Sequence, residues 1–425
     1  MPQRKARRAL LAALAITFVA ATGISSAARD TAAAGPGWHA LSVGKAQAVY
    51  PLGSASGRVW FVVEGFQGSY TAWSARVAAG RLTSLVSTPE GKNEWLPSSF
   101  ILGSSLVNCC AAAQGGSSTS SSVAPLLASG KVGAWSPLAG DPEGTAQAAL
   151  TPPDQGSSGR WLAQSAVTTG GHTTWSIIGH TCPPAGQPHQ CTLNGGGWSW
   201  FAVCCTAGGQ PVDLTSQLTN RFAASATDSA LGRDSYGRVW LAWLDRATSK
   251  PGIAFKLAQL DPATLRPLSV ATLDHLLLND VGGPRSFSFA CADRCHLVYQ
   301  SLTGAFSWGG TGKPVRLWKD NPRTGKGGWL FGASLRRGGL DVANYANTTR
   351  GQRITLKHGD ALGRHLRSRR SVNIPPQLPD GRTHYFLPMG EPVVSFSSTG
   401  AVVLNLYESD RRTGGSRLLG AVLRG

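Results

Sequence analysis

Four arginines fall within one short stretch, Arg364-His365-Leu366-Arg367-Ser368-Arg369-Arg370. A guanidinium offers paired N–H donors that match the oxygens of a carboxylate, sulfate or phosphate. Arg336-Arg337 and Arg411-Arg412 lie in the same part of the chain. The spacing predicts an anion-binding surface carried by Arg364, Arg367, Arg369, Arg370, Arg336 and Arg337. The fitting partners are anionic glycans, wall polymers or membrane headgroups held by summed attraction. A solvated surface in an arginine-rich protein is the competing reading. No aromatic interleaving typical of nucleic-acid grooves accompanies the cluster, so nucleic acid is not an expected partner.

The charge is local. Met1 to Ala28 has the form of an export signal: Arg4, Lys5, Arg7 and Arg8, then an apolar run from Ala9 to Gly23, then Ser26-Ala27-Ala28 as a small-residue cleavage site. That run falls short of the ~20 residues a spanning helix needs. A secreted monomer cleaved near Ala28 is expected. The whole chain of 425 residues carries a net +18. The leader holds four basic residues and no acidic ones, so residues 29–425 carry +14. Residues 29–312 hold 17 Lys+Arg against 15 Asp+Glu, whereas 313–425 hold 19 against 7. The basic excess therefore belongs to the last quarter.

Eight cysteines stand at 109, 110, 182, 191, 204, 205, 291 and 295. An even count behind an export signal predicts disulfides. Cys182–Cys191 would staple a hairpin, and Cys291–Cys295 would close a tight turn. Cys109-Cys110 and Cys204-Cys205 are adjacent pairs that either close on themselves or cross-link to each other. His180-x-Cys182 and His189-x-Cys191 also form a set soft enough for zinc or copper. Export and the spacing favour disulfides, so neither a metal nor another cofactor is expected.

Other chemistry is sparse. There is no nucleophile elbow, no phosphate-cradling glycine loop and no His-Glu-x-x-His. Glu64, Glu94, Asp245 and Glu391 lie near the ends of strand-like runs, where turn solvation competes with catalysis. Of 14 tryptophans, Trp60, Trp161, Trp240 and Trp243 sit inside strand-like runs and should pack in the core. Trp95, Trp308 and Trp329 lie beside turn residues and are the better candidates for exposed platforms.

What positions these residues is a repeat. Gly57-Arg58-Val59-Trp60-Phe61-Val62-Val63 matches Gly237-Arg238-Val239-Trp240-Leu241-Ala242-Trp243, each followed by further short apolar runs between turns. Weaker copies lie around Gly159, Gly197, Arg294 and Gly400. Landmarks at 57, 159, 197, 237, 294 and 400 give roughly 40–57 residues per unit. Runs of this length, rich in Val, Trp, Phe and Leu, read as strands. Four-stranded sheets too small to bury both faces alone do so by stacking radially. The fold class predicted is all-β, a β-propeller over 29–425 with seven four-stranded blades; six or eight also fit the spacing, and paired β-sandwiches are the alternative. Only Asp360 to Val372 hints at helical period, through Leu362 and Leu366.

Asp234-Ser235-Tyr236-Gly237-Arg238-Val239-Trp240 is similar to the Asp-box turn of sialidase-like propellers. It differs in an Asp-to-Gly distance longer by one residue and in Gly232 where Ser or Thr is usual; the first copy has Ser54 in place of the Asp. The resemblance implies a fold. For activity it would imply a glycoside hydrolase with an arginine triad, a Tyr–Glu nucleophilic pair and an acidic proton donor. The Phe/Tyr-Arg-Ile-Pro segment that usually supplies the first arginine does not occur here. The expected function is thus binding of an extracellular ligand or anionic polymer, with a sialidase-like or other glycan-active enzyme as the alternative.

Overall fold

A computed structural model describes residues 37–65, 68–90, 96, 99–102, 104–108, 122–137, 161–165, 176–181, 198–203, 212–213, 229–234, 236, 238–246, 253–261, 267–276, 287–319, 328–336, 338–349, 351–379, 385–409 and 415–424. The regular elements among them are all strands. The leader expected over residues 1–28 lies outside them. No helix among the described residues is long and apolar enough to cross a membrane.

The chain enters on β1 (Trp38–Leu41) and then builds a first sheet of β2 (Ala48–Ala55), β3 (Arg58–Glu64), β4 (Tyr70–Ala78) and β5 (Arg81–Pro89), in that order. The second is β6 (Ser99–Leu102), β7 (Ser105–Asn108), β8 (Ser122–Pro125) and β9 (Ser136–Pro137). The third holds β10 (Trp161–Ser165), β11 (Ser176–Thr181), β12 (Trp198–Val203) and β13 (Val212–Asp213), arranged β12-β11-β10-β13. Sequential order returns in the fourth: β14 (Ser229–Arg233), β15 (Val239–Arg246), β16 (Ile253–Leu260) and β17 (Pro267–Leu276). The fifth is β18 (Phe287–Cys291), β19 (Cys295–Ser301), β20 (Gly304–Trp308) and β21 (Val315–Lys319). The sixth is β22 (Trp329–Arg336), β23 (Gly339–Thr348), β24 (Gly351–Gly359) and β25 (Arg367–Ile374).

The last sheet draws on both ends of this path. β26 (Leu378–Pro379), β27 (Tyr385–Pro388) and β28 (Val393–Ser397) precede β29 (Gly400–Ser409) and β30 (Ser416–Arg424). β27 and β28 pair with different stretches of β29, and β1 pairs with β30 as its outer neighbour, Trp38 opposite Ala421.

These sheets form a β-propeller. β28 lies beside β2, β2 beside β6, β12 beside β14, β14 beside β18, β18 beside β22, and β22 beside β28. Radial stacking explains the repeated Gly-Arg-Val-Trp run. Val59, Phe61 and Val63 pack against Val402, Leu404 and Leu406 of the last sheet, while Trp60 and Val62 pack against Leu106 and Ala124 of the second. Both faces of β3 are thus covered, which is why Val59 to Val62 lose all solvent contact. Trp240 and Ala242 do the same toward the fifth sheet, joining Leu297, Tyr299 and Trp308. The core is therefore a series of seams between sheets. The two-sandwich alternative is set aside by this arrangement.

In each sequential meander, the first-to-second and third-to-fourth turns share one end of the sheet. Hydrogen bonds at that end cross from sheet to sheet: Ser74 Oγ donates to Gly130 O at 2.7 Å, Arg238 to Asp293 O at 2.6 Å, and Arg336 to Ser398 O at 2.8 Å. Asp360 to Val372 is no helix. Asp360 to Arg364 form a turn and β25 follows, because Val372 and Ile374 alternate with exposed residues and enter the seam against the last sheet.

Candidate anion-binding site

The four clustered arginines sit on the β24–β25 hairpin, the outer edge of the sixth sheet. The turn between the strands is fixed by one carboxylate. Asp360 Oδ1 accepts from the backbone N–H of Leu362 at 2.9 Å and of Arg364 at 2.8 Å, and Asp360 N–H donates to Arg364 O at 3.1 Å. Gly363 closes the turn at φ +78°, where a Cβ would lie 2.3 Å from Leu317 Cδ2. His365 follows with φ +56°.

This turn is a second copy of the one at Asp234. There Oδ1 accepts from the N–H of Tyr236 and of Arg238, both at 3.0 Å, and Asp234 N–H donates to Arg238 O. Both have the pattern Asp-x-x-Gly-Arg, Asp234 to Arg238 and Asp360 to Arg364. Sequence reading missed the second copy because His365-Leu366 replaces Val239-Trp240, and the arginines drew attention instead. At Asp234 the remaining oxygen also takes Arg238 Nε at 2.7 Å and Trp240 Nε1 at 2.9 Å. Burial pushes the Asp234 carboxyl up, but the Trp240 and Arg238 bonds outweigh it and hold it below the usual range. In the first copy Ser54 cannot do this. Trp60 Nε1 turns to Ala55 O, and the buried Arg58 turns to Ser74 and Ser84 O.

Beyond the Asp360 turn, β25 runs with a register shift between Leu356 and Lys357 that leaves Arg369 as an extra residue. Arg367 then faces His358, Ser368 faces Lys357, and Arg370 faces Leu356. Such a bulge re-aims side chains at a sheet edge. Arg364, Arg367, Arg369 and Arg370 are all exposed. None of them is ion-paired among the described residues. Residues 351–374 hold six Lys+Arg against one acidic residue, a net of +5.

Arg336 is different in kind. Its guanidinium bonds Asp341 Oδ2 and reaches Ser397 O and Ser398 O of the last sheet, so it is a tie between two sheets and not a free group. Nη1 and Nη2 of Arg336 are thus engaged within the protein. Arg337 lies outside the described residues. Asp341, fully buried, also holds His358, whose Nδ1 lies 2.8 Å from Oδ1. The Arg336–Asp341–His358 group escaped sequence reading because its members join only through strand pairing, Asp341 opposite His358.

The remaining expectations divide. Cys291–Cys295 is a disulfide that closes the β18–β19 turn. Cys109, Cys110, Cys182, Cys191, Cys204 and Cys205 lie outside the described residues, as do Glu94 and Trp95. No group of metal-ligating side chains occurs among the described residues. Trp329 is exposed at 41%, as expected of a platform, whereas Trp308 is only 3% exposed. Trp308 enters the seam with Trp240 and gives its Nε1 hydrogen to Gly312 O, so the turn beside it caps the indole.

A Tyr–Glu pair does exist. Tyr50 donates to Glu64 Oε2 at 2.7 Å, a contact made across β2 and β3 that spacing alone did not reveal. Desolvation and then the bond to Glu64 raise the Tyr50 hydroxyl above the ordinary phenol range, opposite to what a nucleophile needs. No arginine bonds either residue among the described residues. Burial raises the Glu391 carboxyl, whose charge acts on Tyr345.

No family model and no curated protein matches the chain. Among solved structures it is similar to the polysaccharide lyase Uly1, with 8% sequence identity and a TM-score of 0.38, over 86% of this chain and 88% of that one.

Proposed function

We propose that the protein is an exported binding propeller that holds an anionic extracellular polymer, glycan or wall-type, along the β24–β25 edge. One observation carries this reading: four exposed guanidiniums, without ion-pair partners among the described residues, share a single edge hairpin of net charge +5. Their neighbours on the strand, Ser368 and Ser371, are exposed too and add hydroxyl donors. An extended polyanion laid along β25 would meet several guanidiniums at once, each offering a charge-assisted bond.

The test is retention of the full chain on dextran sulfate, with Arg364, Arg367, Arg369 and Arg370 replaced together by Ala. Exposed ion pairs contribute about 0.2–1 kcal/mol each. Loss of four should weaken binding roughly fourfold to nearly a thousandfold and flatten its salt dependence. Because all four side chains are exposed, thermal stability should be nearly unchanged. Elution at the parent salt concentration would overturn the proposal.

A further inference from the structure

The basic edge has a titratable group built into its inner side. His358 lies opposite Arg367 on β25 and opposite Asp341 on β23. Asp341 is fully buried, and each of its oxygens has a cationic or imidazole partner: Arg336 on Oδ2 and His358 Nδ1 on Oδ1. A buried carboxylate bonded to a guanidinium stays ionised and therefore accepts the Nδ1 hydrogen. That fixes the tautomer, so the basic lone pair of His358 is on Nε2, the nitrogen turned away from Asp341. Nε2 has no hydrogen-bond partner among the described residues, and the side chain keeps 26% of its surface in solvent. Gly339 at φ +149° packs closely on this hairpin: a Cβ there would stand 1.8 Å from Gly359 O and 3.1 Å from the His358 Cε1.

Among the described residues, the charged groups facing this imidazole are Asp341 from β23, Arg336 from β22, and Arg367 and Arg369 from β25; from the last sheet the Ser397 and Ser398 carbonyls bind Arg336. Desolvation, then the fields of Arg369 and Arg336, keep His358 below the ordinary 6.5. Two of these influences change when an anion arrives. Negative charge seated at Arg367 and Arg369 cancels the Arg369 field and supplies an acceptor for a proton on Nε2.

We propose that capture of a polyanion at Arg367 and Arg369 draws a proton onto His358 Nε2, so that this edge grips its polymer more tightly in acidic surroundings. The inference rests on the binding reading above and adds the regulation of the same site. By linkage the effect is reciprocal: acid tightens binding, and binding favours the protonated ring to the same degree. Arg336 and Asp341 do not touch the polymer. They hold the ring with Nε2 turned away from Asp341.

Dextran sulfate is the right probe because its sulfates stay charged throughout, leaving the protein as the titrating partner. Its affinity for the full chain is measured at pH 7.5 and pH 5.0 at one ionic strength. Wild type should bind about threefold to fivefold more tightly at pH 5.0, the worth of one added exposed charge contact. His358→Gln should lose that gain, binding with nearly the same affinity at pH 7.5 and pH 5.0. His365→Gln, at the exposed neighbour, should retain it. Titration of the His358 ring by NMR should show its midpoint rising when dextran sulfate is added. An Arg367→Ala/Arg369→Ala pair that binds as wild type at both pH values defeats the parent reading. Normal binding with equal pH gains in wild type and His358→Gln defeats only the proton coupling.

Discussion

Acidification should cost this propeller stability through one residue above all. His296 is the second residue of β19 and is 2% exposed. Its Nδ1 has no hydrogen-bond partner among the described residues, and Arg294 stands close by. Burial, then the Arg294 charge, hold the imidazole at about 4, against an opposing bond to the Ala361 backbone. In the unfolded chain the same ring titrates near its ordinary 6.5. Between those values the unfolded state takes up a proton that the folded state refuses, so folding stability falls as pH falls. The contribution is complete above pH 6.5 and drains away as pH drops toward 4. At about 1.4 kcal/mol per pH unit, the whole window amounts to about 3 kcal/mol. That is a large share of the roughly 5–15 kcal/mol typical of a folded domain. Urea midpoints of wild type and His296→Gln between pH 7.5 and 4.0 isolate the effect, since every other titrating group is common to both. Wild type should lose about 3 kcal/mol more than the variant across this range. Parallel pH profiles would refute the claim that the ring is kept neutral by burial.

The two Asp-x-x-Gly-Arg turns should respond unequally to the same truncation. Asp234→Ala strips four hydrogen bonds from the turn and orphans the buried indole N–H of Trp240, while the partly exposed Arg238 keeps its bond to Asp293 O; it should cost about 2–4 kcal/mol in urea unfolding. Asp360→Ala removes only backbone bonds at an exposed turn and should cost about 1 kcal/mol. Trp38→Ala empties a buried site between the sixth and last sheets and breaks a 2.7 Å bond to Asn373 O. A loss of about 3–5 kcal/mol is expected by differential scanning calorimetry, and a loss under 1 kcal/mol would contradict the role assigned to β1.

Local pattern carried the architecture. The Gly-Arg-Val-Trp run is legible because a strand packed on both faces must be apolar at consecutive positions, and Val59 to Val62 are. The disulfide at 291–295 was legible because its partners are four residues apart. Register was not legible. Tyr50 with Glu64, and Asp341 with His358, meet only because particular strands pair at particular residues, information that resides in the assembled sheet. The arginine stretch shows the same limit from the other side. Composition identified Arg364, Arg367, Arg369 and Arg370 together with Arg336, yet only the fold separates four exposed groups from one already committed to Asp341 and the last sheet. Leu362 and Leu366 mimicked a helical stripe because a tight turn followed by a bulged strand also brings back apolar residues at irregular spacing.

The pairing of β1 with β30 sets a clock on biogenesis. Residue 38 meets residue 421, so the earliest described strand waits for the latest described one. At about 5–20 residues per second, that interval is roughly 20–80 s. Throughout it β1 lacks its pairing partner, Trp38 has no seam to enter, and the circle of sheets stays open at one joint. A nascent chain of this kind has to be shielded from partners for most of its synthesis, and any joining of separate molecules through exchanged strands would begin at that joint.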